Sequence, residues 1–217
     1  YVHGLDLSFS GGDNSSKGAL YGDIAHEVLE KLDFADPGGW EETIQSLFKP
    51  SLPAHMLTSL LKDLKHFAET PVYRDIVRSA GQIKREEPFM MLAGDVLVRG
   101  NIDLFCRNGK EISIVDYKTG SSFPGAPDDI PDHYRFQLGI YGLAVYKAHH
   151  VVPSKLILQY LGSAESHIIH CNINYINEIE CELNEILEDI SAGIFQPVKD
   201  HRCVNCSYGY LCGVITQ

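Results

Sequence analysis

The chain has 217 residues, 44% hydrophobic and 22% charged, which suits one generous globular core and argues against a disordered protein. No apolar run reaches the roughly 18 residues of a membrane helix and no basic-then-apolar leader opens the chain, so a secreted or membrane protein is not expected and a cytoplasmic one is. The net charge of −11 argues against a nucleic-acid partner until its distribution is read. Residues 1–50 carry three basic and nine acidic groups, residues 171–217 two and seven, and the stretch between them is balanced. Acidic flanks leave a neutral centre free to meet DNA.

The first twelve residues, closing on Ser10-Gly11-Gly12, read as an incoming arm. Ser15 or Ser16 can cap a helix whose stripe is Ala19, Ile24, Ala25, Val28, Leu29 and Leu32, and Pro37-Gly38-Gly39 stops it. Two or three helices are expected between Trp40 and Ser79, with Pro50, Pro53 and Pro71 as punctuation; their length and polarity predict a cap or lid. Residues 82–92, 95–106 and 111–118 read as strands, the last two joined at Asn108-Gly109. A helix over 132–149, strands around 155–162 and 166–171, an acidic helix near 174–192 and a Cys-rich tail complete the chain. This order predicts an α/β fold with a mixed central sheet flanked by helices. One domain, 1–217, is expected, made of a helical region (17–80), a sheet core (82–171) and a C-terminal helix with its tail (172–217).

The chemistry concentrates on Gly100-Asn101-Ile102-Asp103 and Ile114-Val115-Asp116-Tyr117-Lys118-Thr119-Gly120. A four-residue connection from Asn108 to Glu111 sets Asp103 opposite Asp116, and Lys118, two residues on, joins the same face. Paired carboxylates repel unless a cation lies between them, and Mg²⁺ or Mn²⁺ favours such oxygen donors. The plain alternative is a surface salt bridge between Asp116 and Lys118, with Asp103 in a turn.

These segments, followed by Gln137-Leu138-Gly139-Ile140-Tyr141, resemble the PD-(D/E)xK nuclease superfamily in its RecB-like branch, and in particular the nuclease domain of AddA- and AddB-type helicase–nucleases. Gly22-Asp23-Ile24-Ala25-His26-Glu27 resembles the family's histidine helix, and Glu86-Glu87-Pro88-Phe89 its first-strand motif. The resemblance implies a restriction-endonuclease-like core with an N-terminal helical insertion. It also implies a Mg²⁺- or Mn²⁺-dependent exo- or endonuclease in double-strand break repair and recombination. It assigns His26, Asp103, Asp116 and the Tyr117 carbonyl to the metal, Lys118 to catalysis, Glu86 to the acidic first-strand position, and Gln137 and Tyr141 to DNA. The remaining histidines, among them His149, His150, His167 and His170, read as surface or edge residues. The acidic side chains of the last helix read as its solvated face.

Cys203, Cys206 and Cys212 resemble the tail of members that hold an iron–sulfur cluster, in which a first Cys precedes the histidine helix. Here no Cys precedes Cys106, which is expected at the hairpin edge, so a four-iron cluster is not expected in this chain. No phosphate-loop motif is present. The partners that the resemblance implies are single-stranded DNA, the helicase region of a longer chain and a second helicase–nuclease subunit. An inactive DNA-binding or scaffold module of the same fold is the competing reading, and a zinc-binding module built on the tail a third.

Overall fold

The computed structural model describes residues 3–6, 16–48, 52–79, 82–120, 130–194 and 203. Helix α1 (Ser16–Lys31) is followed by a 3-10 turn at Pro37–Gly39 and by α2 (Trp40–Phe48), α3 (Ala54–Ala68) and α4 (Pro71–Arg78). Thr70 caps α4 by accepting the Tyr73 N–H at 3.1 Å, with Pro71 in the first helical position, where no N–H is needed. The expected lid is a full core layer. Ala25, Val28, Ile44, Leu64 and Phe67 are buried with Leu104, Cys106, Val115, Tyr117 and Ile157 of the sheet. Each helix alone carries a narrow apolar stripe, and only their convergence on one sheet face makes a core of them.

The sheet has six strands: β1 (His3–Asp6), β2 (Ile83–Ala93), β3 (Val96–Asn108), β4 (Glu111–Lys118), β5 (Lys155–Tyr160) and β6 (Ser166–His170). Strand β1 lies within the expected arm and runs parallel to β3, from His3 beside Val96 to Asp6 beside Arg99. Four residues are too few for alternation to announce a strand. The order is β1-β3-β4-β5-β6, with β2 on the other edge of β3; β1–β3 and β4–β5 are parallel and the remaining pairs antiparallel. Gly109, at φ +61°, makes the β3–β4 turn.

Helix α5 (Asp132–His149) is the crossover that parallel β4 and β5 require, and every residue from Gln137 to Val145 is buried. Helix α6 (Ile173–Ser191), capped by Asn172 at the Tyr175 N–H, covers it. The α5–α6 contact depends on Gly139, where an added Cβ would meet Ile179 Cδ1 at 2.4 Å. Arg135–Glu182 and Lys147–Glu180 ion pairs, at 2.7 and 2.5 Å, bind part of the acidic face of α6 to α5 instead of leaving it to solvent. Two other expectations are corrected. Cys106 is buried in the helical layer rather than at the hairpin edge, and His167 is buried against the Tyr160 ring. Among the described residues no helix is long and apolar enough to cross a membrane.

Candidate active site

The β2–β3 hairpin changes faces along its length. Ile83 and Arg85, with Leu104 and Cys106 across from them, pack toward α1–α4. Met91 and Ala93, with Val98 and Ile102, pack toward α5 and α6 although period-two alternation would keep them on the first face. The switch falls at Glu86, which sits at φ 47°, and at Asp103 on the facing strand, the level at which the β2–β3 pairing is interrupted. No residue is inserted, since Arg85 pairs with Leu104 and Glu87 with Ile102.

At the same level β3 and β4 part. Their pairing ends at Leu104–Val115, and β4 continues beside β5 alone to Lys118–Tyr160. The backbone groups this opening frees are met by side chains. Asp103 Oδ2 accepts the Tyr117 N–H at 2.8 Å, and His26 Nε2 lies 3.2 Å from the Tyr117 carbonyl. The cleft therefore joins groups from both layers: His26 arrives from α1, and Gln137 and Tyr141 from α5.

The outer part of the site holds His26, Glu86 and Asp103. His26 Nδ1 is 3.6 Å from Asp103 Oδ2 and 3.8 Å from Glu86 Oε1. When Nε2 carries the ring proton it can donate to Tyr117 O, leaving the Nδ1 lone pair facing both carboxylates. The inner part is closed. Lys118 Nζ is 2.6 Å from Asp116 Oδ2 and 3.4 Å from Gln137 Oε1, while Gln137 Nε2 donates to Asp116 Oδ1 at 2.7 Å and reaches the Tyr141 hydroxyl at 2.9 Å. The Asp116 side chain is 1% exposed and that of Lys118 6%, against 29% for His26 and 30% for Glu86.

Electrostatics show what the outer group lacks. Burial, reinforced by the neighbouring Asp116 charge, raises the Asp103 carboxyl to about 7, despite the opposing pull of His26, the Tyr117 N–H and Lys118. Burial depresses the His26 imidazole, but Glu86, Asp103 and Asp116 outweigh that effect and raise it to about 9. Three carboxylates thus draw a proton onto the histidine because positive charge is short there. The donor atoms of His26, Glu86 and Asp103 lie within 4.8 Å of one another, a spread that a small divalent ion could draw together. One imidazole among carboxylates suits Mn²⁺ somewhat better than Mg²⁺.

The side chains expected at the site meet here: the donors of His26, Glu86 and Asp103 form one group, and Asp116 turns to Lys118 and Gln137. Gln137 and Tyr141, expected on DNA, are buried and bonded to each other, Gln137 also binding the site's own groups. Tyr134, which no motif marks, joins them: its ring lies 4.8 Å from Lys118 Nζ. The signal was its position three residues before Gln137 and seven before Tyr141, on one helical stripe. Cys203 is half-buried, and Cys206 and Cys212 lie outside the described residues.

A mixed sheet with two aspartates and a lysine where two antiparallel strands part fits the PD-(D/E)XK nuclease superfamily; its family model matches residues 1–213, and the chain belongs to it. One subunit of an ATP-dependent helicase/nuclease from Streptococcus thermophilus is 27% identical over 159 residues, covering 70% of this chain and 13% of the relative. The exonuclease/helicase subunit RexA of Streptococcus pneumoniae is 28% identical over 179 residues, covering 76% and 14%. The chain thus spans about an eighth of the length of these relatives. The crystal structure of a candidate exonuclease from Eubacterium rectale, 15% identical, superimposes with a TM-score of 0.55 over 95% of this chain and 78% of that one, which shows the same restriction-endonuclease-like α/β fold.

Proposed function

We propose that this chain is a metal-dependent deoxyribonuclease acting on single-stranded DNA, the nuclease portion of a longer helicase–nuclease engaged in double-strand break repair. The observation that carries this reading is the joining of the His26–Glu86–Asp103 donors to the buried Asp116–Lys118 pair at the parting of β3 and β4. His26, Glu86 and Asp103 would hold the ion, with Asp116 and the Tyr117 carbonyl as neighbouring donors. A bound Mg²⁺ or Mn²⁺ would supply Lewis acidity toward a phosphodiester and lower the pKa of a coordinated water.

The protein's own groups do the rest. Lys118, the last residue of β4, offers a positive charge to the phosphate oxygens as negative charge builds on them. Gln137 holds the Asp116 carboxylate in one orientation, and Tyr141 holds Gln137. Both are therefore positioning residues rather than DNA contacts. The motor that would deliver the strand, and a basic track for it, belong to the rest of the longer protein and to a second subunit.

The test is cleavage of end-labelled single-stranded DNA with Mg²⁺ or Mn²⁺ by wild type, Lys118→Ala and Asp116→Asn. Loss of cleavage in both variants, with circular dichroism unchanged, is expected. Equal activity in wild type and Lys118→Ala would defeat the assignment of the lysine.

A further inference from the structure

Among the described residues, the Lys118 ammonium meets the Asp116 carboxylate at 2.6 Å, the Gln137 amide oxygen at 3.4 Å and the Tyr134 ring, whose centroid is 4.8 Å away. Two of these are tied together, because Gln137 also donates to Asp116. Any movement of Asp116 toward a cation in the outer group weakens the first contact and disturbs the second. The ring makes a contact of its own, through its face. Tyr134 sits in the first turn of α5, where its N–H bonds the Pro131 carbonyl at 2.9 Å. The next two turns of the same stripe present Gln137 and Tyr141.

We propose that Tyr134 is a positioning residue for Lys118, its ring face holding the ammonium in the cleft when Asp116 is drawn to the ion. The inference rests on the nuclease reading above only for the consequence of that hold. A lysine stem has four rotatable bonds, and an ammonium over an aromatic face is attracted without a fixed hydrogen-bond direction. The ring can therefore keep the charge in place while leaving its N–H donors free for phosphate oxygens.

Two measurements test this, one independent of cleavage. In ¹H–¹³C spectra of lysine-labelled protein, the Lys118 ε-methylene should show an upfield ring-current shift. That shift should be kept in Tyr134→Phe, lost in Tyr134→Leu, and retained when Mg²⁺ is added to wild type. Loss of the shift on adding Mg²⁺, or its indifference to Tyr134→Leu, would overturn the proposal even if the protein cut no DNA. With cleavage, kcat at saturating Mn²⁺ and DNA should fall about 10- to 30-fold in Tyr134→Leu and less than about 3-fold in Tyr134→Phe, the scale of a desolvated cation–π contact. Log kcat should also decline stepwise as phenylalanine at position 134 is fluorinated once, twice and three times, while melting temperature and Mn²⁺ affinity stay level. A flat fluorination series, or equal losses in Leu and Phe, would show a packing role and overturn it.

Discussion

Gln137 donates from Nε2 to Asp116 Oδ1 at 2.7 Å, so the crossover helix α5 orients a carboxylate at the end of β4. Its amide oxygen meanwhile faces the Lys118 ammonium. A residue with both a donor and an acceptor is needed between a carboxylate and an ammonium, which is why neither Glu nor Leu could serve.

Gln137→Ala therefore removes a buried hydrogen bond to a charge, and a loss of about 1.5–3 kcal/mol in unfolding free energy is expected. Turnover should fall more than metal affinity, because the ion-facing atoms of His26, Glu86 and Asp103 are left in place. Urea denaturation and titration calorimetry, run on the same preparation, separate the two effects. A variant with weakened metal binding and normal turnover would contradict the assignment.

The Asp116–Lys118 pair makes a second prediction. Both groups are buried, so Lys118→Ala leaves an unpaired carboxylate and should destabilise by about 3–5 kcal/mol as well as abolish cleavage. The double variant Asp116→Asn/Lys118→Met removes both charges and should regain most of that stability while remaining inactive. If the double variant is no more stable than Lys118→Ala, the pair is not the buried ionic unit described here.

Metal binding should depend on pH in a defined direction. In the metal-free protein the His26 imidazole stays charged to about 9 and Asp103 keeps its proton to about 7. A cation must displace these protons, so Mn²⁺ affinity rises as pH is raised through 7 and 9 and levels off beyond. Calorimetry near pH 8 in buffers of different ionisation heats should record proton release. Constant affinity across this window would refute it. The linked stability has the opposite sign. Both groups bind protons more tightly in the folded state, so their contribution is present at acid pH. It is lost from 3.8 to about 7 for Asp103 and from 6.5 to about 9 for His26.

Glu86 holds a left-handed conformation, φ 47°, that favours glycine. Glu86→Gly should relieve roughly 1–2 kcal/mol of backbone strain and offset it by the greater entropy of the unfolded chain, leaving stability nearly unchanged while Mn²⁺ affinity drops. Glu86→Val, whose branched side chain resists this conformation, should lose both. Chemical denaturation beside Mn²⁺ titration distinguishes them; a Val variant as stable as wild type would remove the strain argument.

DNA affinity supplies the last expectation. With a balanced centre and acidic flanks, the chain should bind single-stranded DNA weakly, with a shallow slope of log affinity against log salt. Nanomolar binding at physiological salt with a steep slope would reveal a basic track that the charge distribution does not suggest.

Much of this site was legible in the sequence because its elements are local. A two-residue turn at Gly109-Lys110 sets the β3–β4 register that brings Asp103 and Asp116 to the end of the ladder, and period two puts Lys118 beside Asp116. The i, i+4 spacing of Gln137 and Tyr141 likewise guarantees their contact. What sequence could not supply depends on long-range packing. Glu86 joins Asp103 only because the β2–β3 hairpin changes faces at an αL residue that nothing local demands. His26 reaches the carboxylates because α1 packs beside the opening between β3 and β4, where Tyr117 O needs a partner. Gln137 and Tyr141 turn inward because α5 is trapped between the sheet and α6, which decides burial where spacing decides only neighbourhood. The residue types and their order along the chain fixed the chemistry available; the layers closing on both faces of a split sheet decided which atoms meet.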